Sequence, residues 1–308
     1  MIQVYAGSAR FPLADRGVAL TIGNFDGIHA GHQALLGAVV QAARAAGAPA
    51  VVYTFEPPPR AVLAPERKQP RVLALADKVR LLGEAGVDGV IVESFSRAFA
   101  QHPPEWFVDE VLGQRIRPAQ LRVGYDFRFG RARAGDLALV SARLPQLDVG
   151  VVPAVTLDGA VVSSTALRAR IAAGDLDGAA ALLGRPHFLR GTVVGGDQRG
   201  RTLGFPTANI ESETELLPPH GVYAVRVLIN GEGPALPAVA NLGVRPTFDG
   251  ARFLIEVHLL DWSGDLYGRE LVVRFHHRLR GEQRFDGPAA LIDQLRRDVA
   301  AARARLGP

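Results

Sequence analysis

The stretch Val18-Ala19-Leu20-Thr21-Ile22-Gly23-Asn24-Phe25-Asp26-Gly27-Ile28-His29-Ala30-Gly31-His32 decides the fold. Its first five residues are apolar or β-branched and read as a strand. Glycines follow at once, and apolar residues then recur at helical spacing from Gly31 to about Ala46. Working outward, Ala50–Phe55 is the next strand and Leu75–Glu84 is helical. Asp88–Val92, Gln120–Val123 and Val149–Val152 are further strands with helices between them. This βαβα rhythm predicts an α/β domain with a doubly wound parallel sheet. Ligands of such sheets lie beyond the carboxyl ends of the strands, so chemistry is expected in the loops after Ile22, Phe55 and Val123.

The first of those loops carries the clearest chemistry. Its glycines permit a tight turn and close backbone approach to a ligand. His29 and His32 are three apart at a helix start and share one face, where free N–H groups and the helix dipole favour an anion. The combination suits the phosphates of a nucleoside triphosphate; the plain alternative is a Gly-rich turn with two surface histidines or a metal-binding pair. Farther on stands Val162-Ser163-Ser164-Thr165-Ala166-Leu167-Arg168. Hydroxyls before a helix cap its N–H groups, which alone would account for Ser163 and Ser164. Arg168 is one turn beyond Thr165, so a hydroxyl and a guanidinium can face one phosphate.

The two motifs together resemble the nucleotidylyltransferase superfamily that carries the HxGH signature. The resemblance implies a triphosphate site drawn from Gly23, Asn24, Phe25, Asp26, His29, Gly31, His32, Ser163, Ser164, Thr165 and Arg168. Between the motifs, Gly124-Tyr125-Asp126-Phe127-Arg128-Phe129-Gly130 resembles a segment of bacterial FAD synthetases. There Asp126 would hold a ribose or adenine edge, and Phe127 and Phe129 either stack on a ring or pack the core, with core packing expected of one. Thr54-Phe55-Glu56-Pro57-Pro58-Pro59 resembles that family's TFEPHP with Pro58 in place of histidine. Proline offers neither a donor nor a metal ligand there.

The second half has another rhythm. Phe188–Val194, Gly221–Ile229, Leu236–Asn241, Phe253–Leu260 and Leu271–His276 are strands without helices between them, and a helix from about Pro288 to Leu306 closes the chain. Tyr223, Val225 and Val227 alternate with Ala224 and Arg226, and Asn230-Gly231 signals a hairpin. A small antiparallel β-barrel with a terminal helix is predicted. The helical Ala/Leu segment Leu176–Leu183 running into Gly184-Arg185-Pro186 marks the boundary, giving domains 1–184 and 185–308, with residues 186–308 expected to fold alone.

In this half Gly195-Gly196-Asp197-Gln198-Arg199-Gly200-Arg201-Thr202 comes close to a P-loop. It is not one: Arg201 stands where the lysine is needed, and Leu203-Gly204-Phe205-Pro206 follows where a helix should begin. Thr207 and Asn209 alternate along an extended strand and offer hard oxygen ligands suited to Mg²⁺, or form an ordinary strand-end pair. Gly200–Asn209 resembles riboflavin kinase, as do Asn241-Leu242-Gly243-Val244-Arg245-Pro246, Asp265-Leu266-Tyr267-Gly268 and Leu279–Phe285. The resemblance implies that Gly195, Gly200, Arg201, Gly204, Pro206, Asn241 and Arg245 bind ATP or flavin, that Thr207 and Asn209 hold Mg²⁺, and that Glu256 is the catalytic base. A carboxylate in an apolar strand is costly unless paired or used, and a structural salt bridge to an arginine is the alternative role for Glu256.

Composition sets the frame. The 308 residues include no cysteine, which excludes disulfides, Fe–S clusters and thiolate zinc sites. No apolar run approaches membrane-spanning length, and a cytoplasmic protein is expected. Basic residues exceed acidic by four, spread over both halves, and only Lys68 and Lys78 are lysines. With no basic stripe, nucleic acid is not an expected partner. The whole chain resembles the bacterial bifunctional riboflavin kinase/FAD synthetase family. That implies ATP-dependent conversion of riboflavin to FMN and of FMN to FAD with Mg²⁺, by a monomer or weak homo-oligomer away from membranes. The rivals are an HxGH enzyme for another acceptor fused to an unrelated barrel, and a flavin- or RNA-binding barrel with a decayed transferase domain.

Overall fold

A computed structural model describes residues 2–12, 17–67, 69–196, 200, 203–247 and 250–307, with 244–247 and 250–252 described by backbone alone. The chain forms two compact units, Met1–Ser164 and Thr165–Pro308.

In the first unit six strands form one sheet: β1 (Gln3–Ala6), β2 (Ala19–Ile22), β3 (Ala50–Glu56), β4 (Gly89–Ser94), β5 (Gln120–Gly124) and β6 (Asp148–Val152). Their order is β1-β4-β3-β2-β5-β6, and every neighbouring pair is parallel. β2 is buried throughout, as a strand covered on both faces must be. The helix α1 (Ala30–Ala46) follows it and buries Leu35, Leu36, Val39 and Ala43, one stripe at helical spacing. Gly47 ends α1 in the left-handed conformation, φ 61°. Leu20, Tyr53, Ile91 and Leu121 pack with Val108, Val111 and Leu112 in the main core. The chain passes from β2 through β3 to β4 on one side, then returns to place β5 on the other side of β2. The switch point of the sheet therefore lies between β2 and β5.

In the second unit, Leu176–Leu183 is helical, as its Ala/Leu run predicts. After a two-stranded hairpin in the first unit, β7 (Thr156–Leu157) and β8 (Ala160–Val161), the remaining strands are β9 (Phe188–Val194), β10 (Ala208–Ser212), β11 (Gly221–Ile229), β12 (Glu232–Thr247), β13 (Gly250–Leu259) and β14 (Glu270–Arg280). They close into an antiparallel barrel ordered β10-β13-β12-β11-β14-β9. Asn230 and Gly231 turn β11 into β12 with φ of 55° and 74°, the paired positive angles that a two-residue hairpin needs. Tyr223, Val225, Val227, Ala240 and Val257 fill the barrel. Part of the outer face, Val222, Ala224 and Val239, is covered by Ala302 and Val299 of the helix Pro288–Leu306. The helix Leu176–Leu183 packs on β14 and sends Leu176 into the barrel core.

Candidate functional site

The first unit places Gly23–His32 at the carboxyl end of β2 and Gly124–Phe129 at that of β5, on the two sides of the switch point. The loop is tightly wound: Phe25 and Ile28 have φ of 49° and 45° and Gly27 has 91°. A β-branched residue at positive φ is costly, and such strain persists only where the surroundings enforce it. His29 caps α1, its Nδ1 accepting from the His32 backbone N–H at 3.3 Å. Nδ1 is thereby the acceptor, which leaves the Nε2 of neutral His29 as donor. The two rings stack, centroids 3.7 Å apart and 16° from parallel. His32 is held neutral, its pKa pushed well below the ordinary value by burial, by His29 and by Lys78. Its Nδ1 is buried with no hydrogen-bond partner among the described residues. A Cβ on Gly31 would press on the His29 ring at 3.3 Å.

Other predicted members take different places. Phe25 is fully buried, its ring against His32. The buried Asp26 carboxylate accepts the backbone N–H groups of Val72 and Leu73 at 3.0 and 3.2 Å. Ser164 Oγ donates to the Asp26 carbonyl at 2.9 Å, so two motifs far apart in sequence are joined directly. Asp126 is exposed at the end of β5, Phe129 is core and Phe127 packs beside it, rings 5.4 Å apart. Thr165 and Arg168 fall in the second unit, the former exposed and the latter half-buried.

Sequence reasoning passed over Lys78. It is only 3% exposed, its charge disfavoured by burial and supported by Asp26 and Glu56. The signal was available in composition, since arginine supplies almost every other cation of this chain. Arg71 pairs with Glu56 at 2.9 Å beside Pro58 and its neighbours.

In the second unit the site is a row of residues across four strands. Asn209 on β10 stands opposite Glu256 on β13, Glu256 opposite Asn241 on β12, and Asn241 opposite Val222 on β11. Ile255 and Val257 point into the barrel, so Glu256 between them points out. Asn241 Nδ2 donates to Glu256 Oε2 at 3.3 Å. No ion pair joins Glu256 to an arginine among the described residues. A cavity of about 410 Å³ opens over the row, with Thr207, Val222, Arg280 and Leu295 also on its wall. A second cavity of about 560 Å³ shares Thr207 and is otherwise lined by Pro206, Trp262, Leu266 and Tyr267. Arg280 grips Asp298 of the last helix through Nε and a second nitrogen at 3.0 and 2.8 Å, which fixes that wall.

The glycine loop closes above the row. Phe205 N–H donates to the Gly200 carbonyl at 2.8 Å, and a Cβ on Gly200 would strike the Phe205 carbonyl. Gly204 has φ 84°, and Gly196 packs directly on the Asn209 amide. Gly195 has open space around it. Arg201 lies outside the described residues, as does the side chain of Arg245, whose backbone belongs to β12. Among the described residues no group of three or more His, Asp or Glu could hold a metal, so an ion here would need other oxygen donors. Thr207 and Asn209 fit that requirement, both facing the cavity that holds Glu256.

Residues 12–166 match the family model of FAD synthetase and residues 183–306 that of riboflavin kinase. A protein of Pseudomonas fluorescens described as bifunctional riboflavin kinase/FMN adenylyltransferase is 45% identical over 310 residues, covering 100% of this chain and 99% of that one. The protein of that description from Escherichia coli K12 is 43% identical over 293 residues, 94% of this chain and 93% of its own. A crystal structure from Streptococcus pneumoniae described as a macrolide-efflux protein superposes with a TM-score of 0.87 at 32% identity, covering 98% of this chain and 99% of that one. Among the described residues here, no helix is long and apolar enough to cross a membrane.

Proposed function

The chain belongs to the bifunctional riboflavin kinase/FMN adenylyltransferase family, and from that premise we propose how its residues divide the work. It phosphorylates riboflavin to FMN in the C-terminal part and adenylylates FMN to FAD in the N-terminal part.

The observation that carries the kinase reading is the placement of Glu256 between Asn209 and Asn241 in the row under the cavity. Glu256 takes the proton from the ribityl 5′-hydroxyl as that oxygen attacks the γ-phosphorus of ATP and ADP leaves. Asn241, donating to the carboxylate, orients it. Riboflavin occupies the cavity that holds Glu256, and ATP reaches in from the neighbouring cavity lined by Trp262 and Tyr267, past the shared Thr207. Gly195, Gly200, Gly204 and Pro206 bring backbone up to the phosphates, with Arg201 and Arg245 as their cations. Thr207 and Asn209 would hold Mg²⁺, which when bound would neutralise charge on the phosphate oxygens.

In the first unit the FMN phosphate is already an anionic nucleophile, so no base is required. It attacks the α-phosphorus of ATP and pyrophosphate leaves. His29, His32, Gly23, Asn24, Gly31 and the start of α1 hold the triphosphate, and the hydroxyls of Ser163 and Ser164 complete the site on this unit. Asp126 reads the ribose or adenine edge. Asp26 serves by locking the loop through Val72 and Leu73.

The functional boundary is placed at Gly184, where the family motifs change, while the physical unit that carries the kinase begins at Thr165. The enzyme is taken to work in the cytoplasm as a monomer or weak homo-oligomer on small-molecule partners alone: riboflavin, FMN and ATP. Riboflavin, ATP and Mg²⁺ incubated with the protein, with chromatographic detection of FMN and FAD, test the reading. FMN without FAD, or neither, would break it.

A further inference from the structure

Among the described residues β10 pairs with β13 at two positions, Ala208 opposite Val257 and Asn209 opposite Glu256. One more step of the register would set Thr207 opposite His258, and the next would set Pro206 opposite Leu259. Pro206 has no N–H, so the ladder cannot continue past it. A side chain takes over: His258 Nδ1 lies 2.8 Å from the Pro206 carbonyl oxygen. A carbonyl only accepts, which assigns the imidazole proton to Nδ1. The Phe205 ring meets the same imidazole edge-on, centroids 5.6 Å apart. Residues 205–207 form the wall between the two cavities. Phe205 faces one, Pro206 the other, and Thr207 both. His258 is two residues from Glu256 on the same strand face, with Val257 between them turned into the core. One strand thus carries the carboxylate and the tether of the opposing wall.

We propose that His258 is a positioning residue for phosphoryl transfer: its Nδ1–H holds the Phe205–Thr207 wall on β13 and so sets the place of the Thr207 hydroxyl relative to Glu256. The inference rests on the assignment of the kinase site to Glu256 and Thr207. Its physical weight comes from the sensitivity of such reactions to placement, where a shift of about 1 Å can cost roughly 10²-fold in rate. The tether is indifferent to pH, because Nδ1 carries a proton in both the neutral and the charged imidazole. The His258 ring also lines the cavity beside Glu256, and in this role it acts through the wall and not on a reacting atom.

The side chains of asparagine and glutamine separate the two ring nitrogens. Asparagine can place an N–H near the position of Nδ1; glutamine reaches instead toward the position of Nε2. In full-length enzyme, His258→Ala and His258→Gln are expected to lower kcat/KM for ATP in riboflavin phosphorylation by about 10–100-fold, chiefly through kcat, with the shape of the pH profile kept. His258→Asn is expected to recover most of that loss. FMN adenylylation and the melting temperature should stay at the parent values in all three. Parent-like kinase in the Ala variant, equal rescue by Gln and Asn, a changed pH profile, or a loss of both activities with a lowered melting temperature would each overturn the inference. Glu256→Gln run in parallel separates its failure from that of the site assignment. A Glu256→Gln enzyme that still phosphorylates riboflavin breaks the assignment itself, whereas loss of kinase in that variant beside unaffected His258 variants breaks only the tether.

Discussion

Asn241 donates to the carboxylate of Glu256 at 3.3 Å from the directly opposing position on the next strand. The bond orients the carboxylate to which the proposed function gives the role of base. Glu256→Gln keeps size and hydrogen-bonding capacity, and removal of a general base costs about 10²–10⁴ in rate. Riboflavin phosphorylation should fall by that factor while FMN adenylylation is retained. Steady-state rates of both reactions on one preparation check it, and near-parent kinase turnover would make Glu256 a structural residue.

His29 stacks on His32 and caps α1, and the proposed function gives the pair a second, separable job in binding phosphate. Alanine at either position should slow FAD formation by about 10²–10³-fold, the usual loss for one preorganised donor, with FMN formation intact. His29→Ala also removes the cap, worth about 1 kcal/mol. His29→Asn restores an acceptor for the His32 N–H but lacks the Nε2 donor. It should melt like the parent and still make FAD slowly. Recovery of FAD formation in His29→Asn would reduce His29 to a cap.

Long periodic elements were legible in the chain itself. Leu75–Glu84, Leu176–Leu183, Phe188–Val194 and Gly221–Ile229 are bounded in the structure as patterning and turn residues predict. β1 was not: Gln3–Ala6 is a short edge strand, mostly exposed, without alternation to mark it. Among site residues, the motifs named Glu256, Asn209 and Asn241 separately. Their lying in one row is a matter of register, which tertiary pairing decides and no local sequence encodes. The Arg280–Asp298 clamp was hidden for the same reason, being a contact between distant segments.

His187 makes the second unit sensitive to acid. It is 2% exposed, donates through Nε2 to the Leu216 carbonyl at 3.1 Å, and burial lowers its pKa to about 4. In the unfolded chain the ordinary value is near 6.5. Below that value the unfolded state takes up a proton that the folded state refuses, so stability is complete above about pH 6.5 and declines toward pH 4. Below pH 4 the folded form protonates too and the loss levels off, at about 3 kcal/mol at most. His187→Gln keeps an N–H for Leu216 and cannot titrate. Melting temperatures between pH 7 and 5 should fall more steeply in the parent than in this variant, and parallel curves would remove His187 as the cause.

The helix Leu176–Leu183 belongs physically to the barrel, whatever the sequence boundary at Gly184 suggests. It buries Leu176, Ala179, Leu182 and Leu183, and Leu176 joins the core inside the barrel. A fragment of residues 186–308 keeps every kinase motif but exposes the surface this helix covers, and a buried leucine is worth roughly 1.5–3 kcal/mol. Residues 165–308 keep the helix and form the compact unit. The longer fragment should therefore fold and phosphorylate riboflavin at close to the full-length rate. The shorter one should melt at least ~5–10 °C lower, by the usual relation of stability to melting temperature in a domain of this size. Thermal melts and ATP-dependent FMN formation on the two fragments decide the matter. Equal melting temperatures would show the helix to be dispensable to the barrel, and a longer fragment that folds without kinase activity would show that the site needs residues before Thr165.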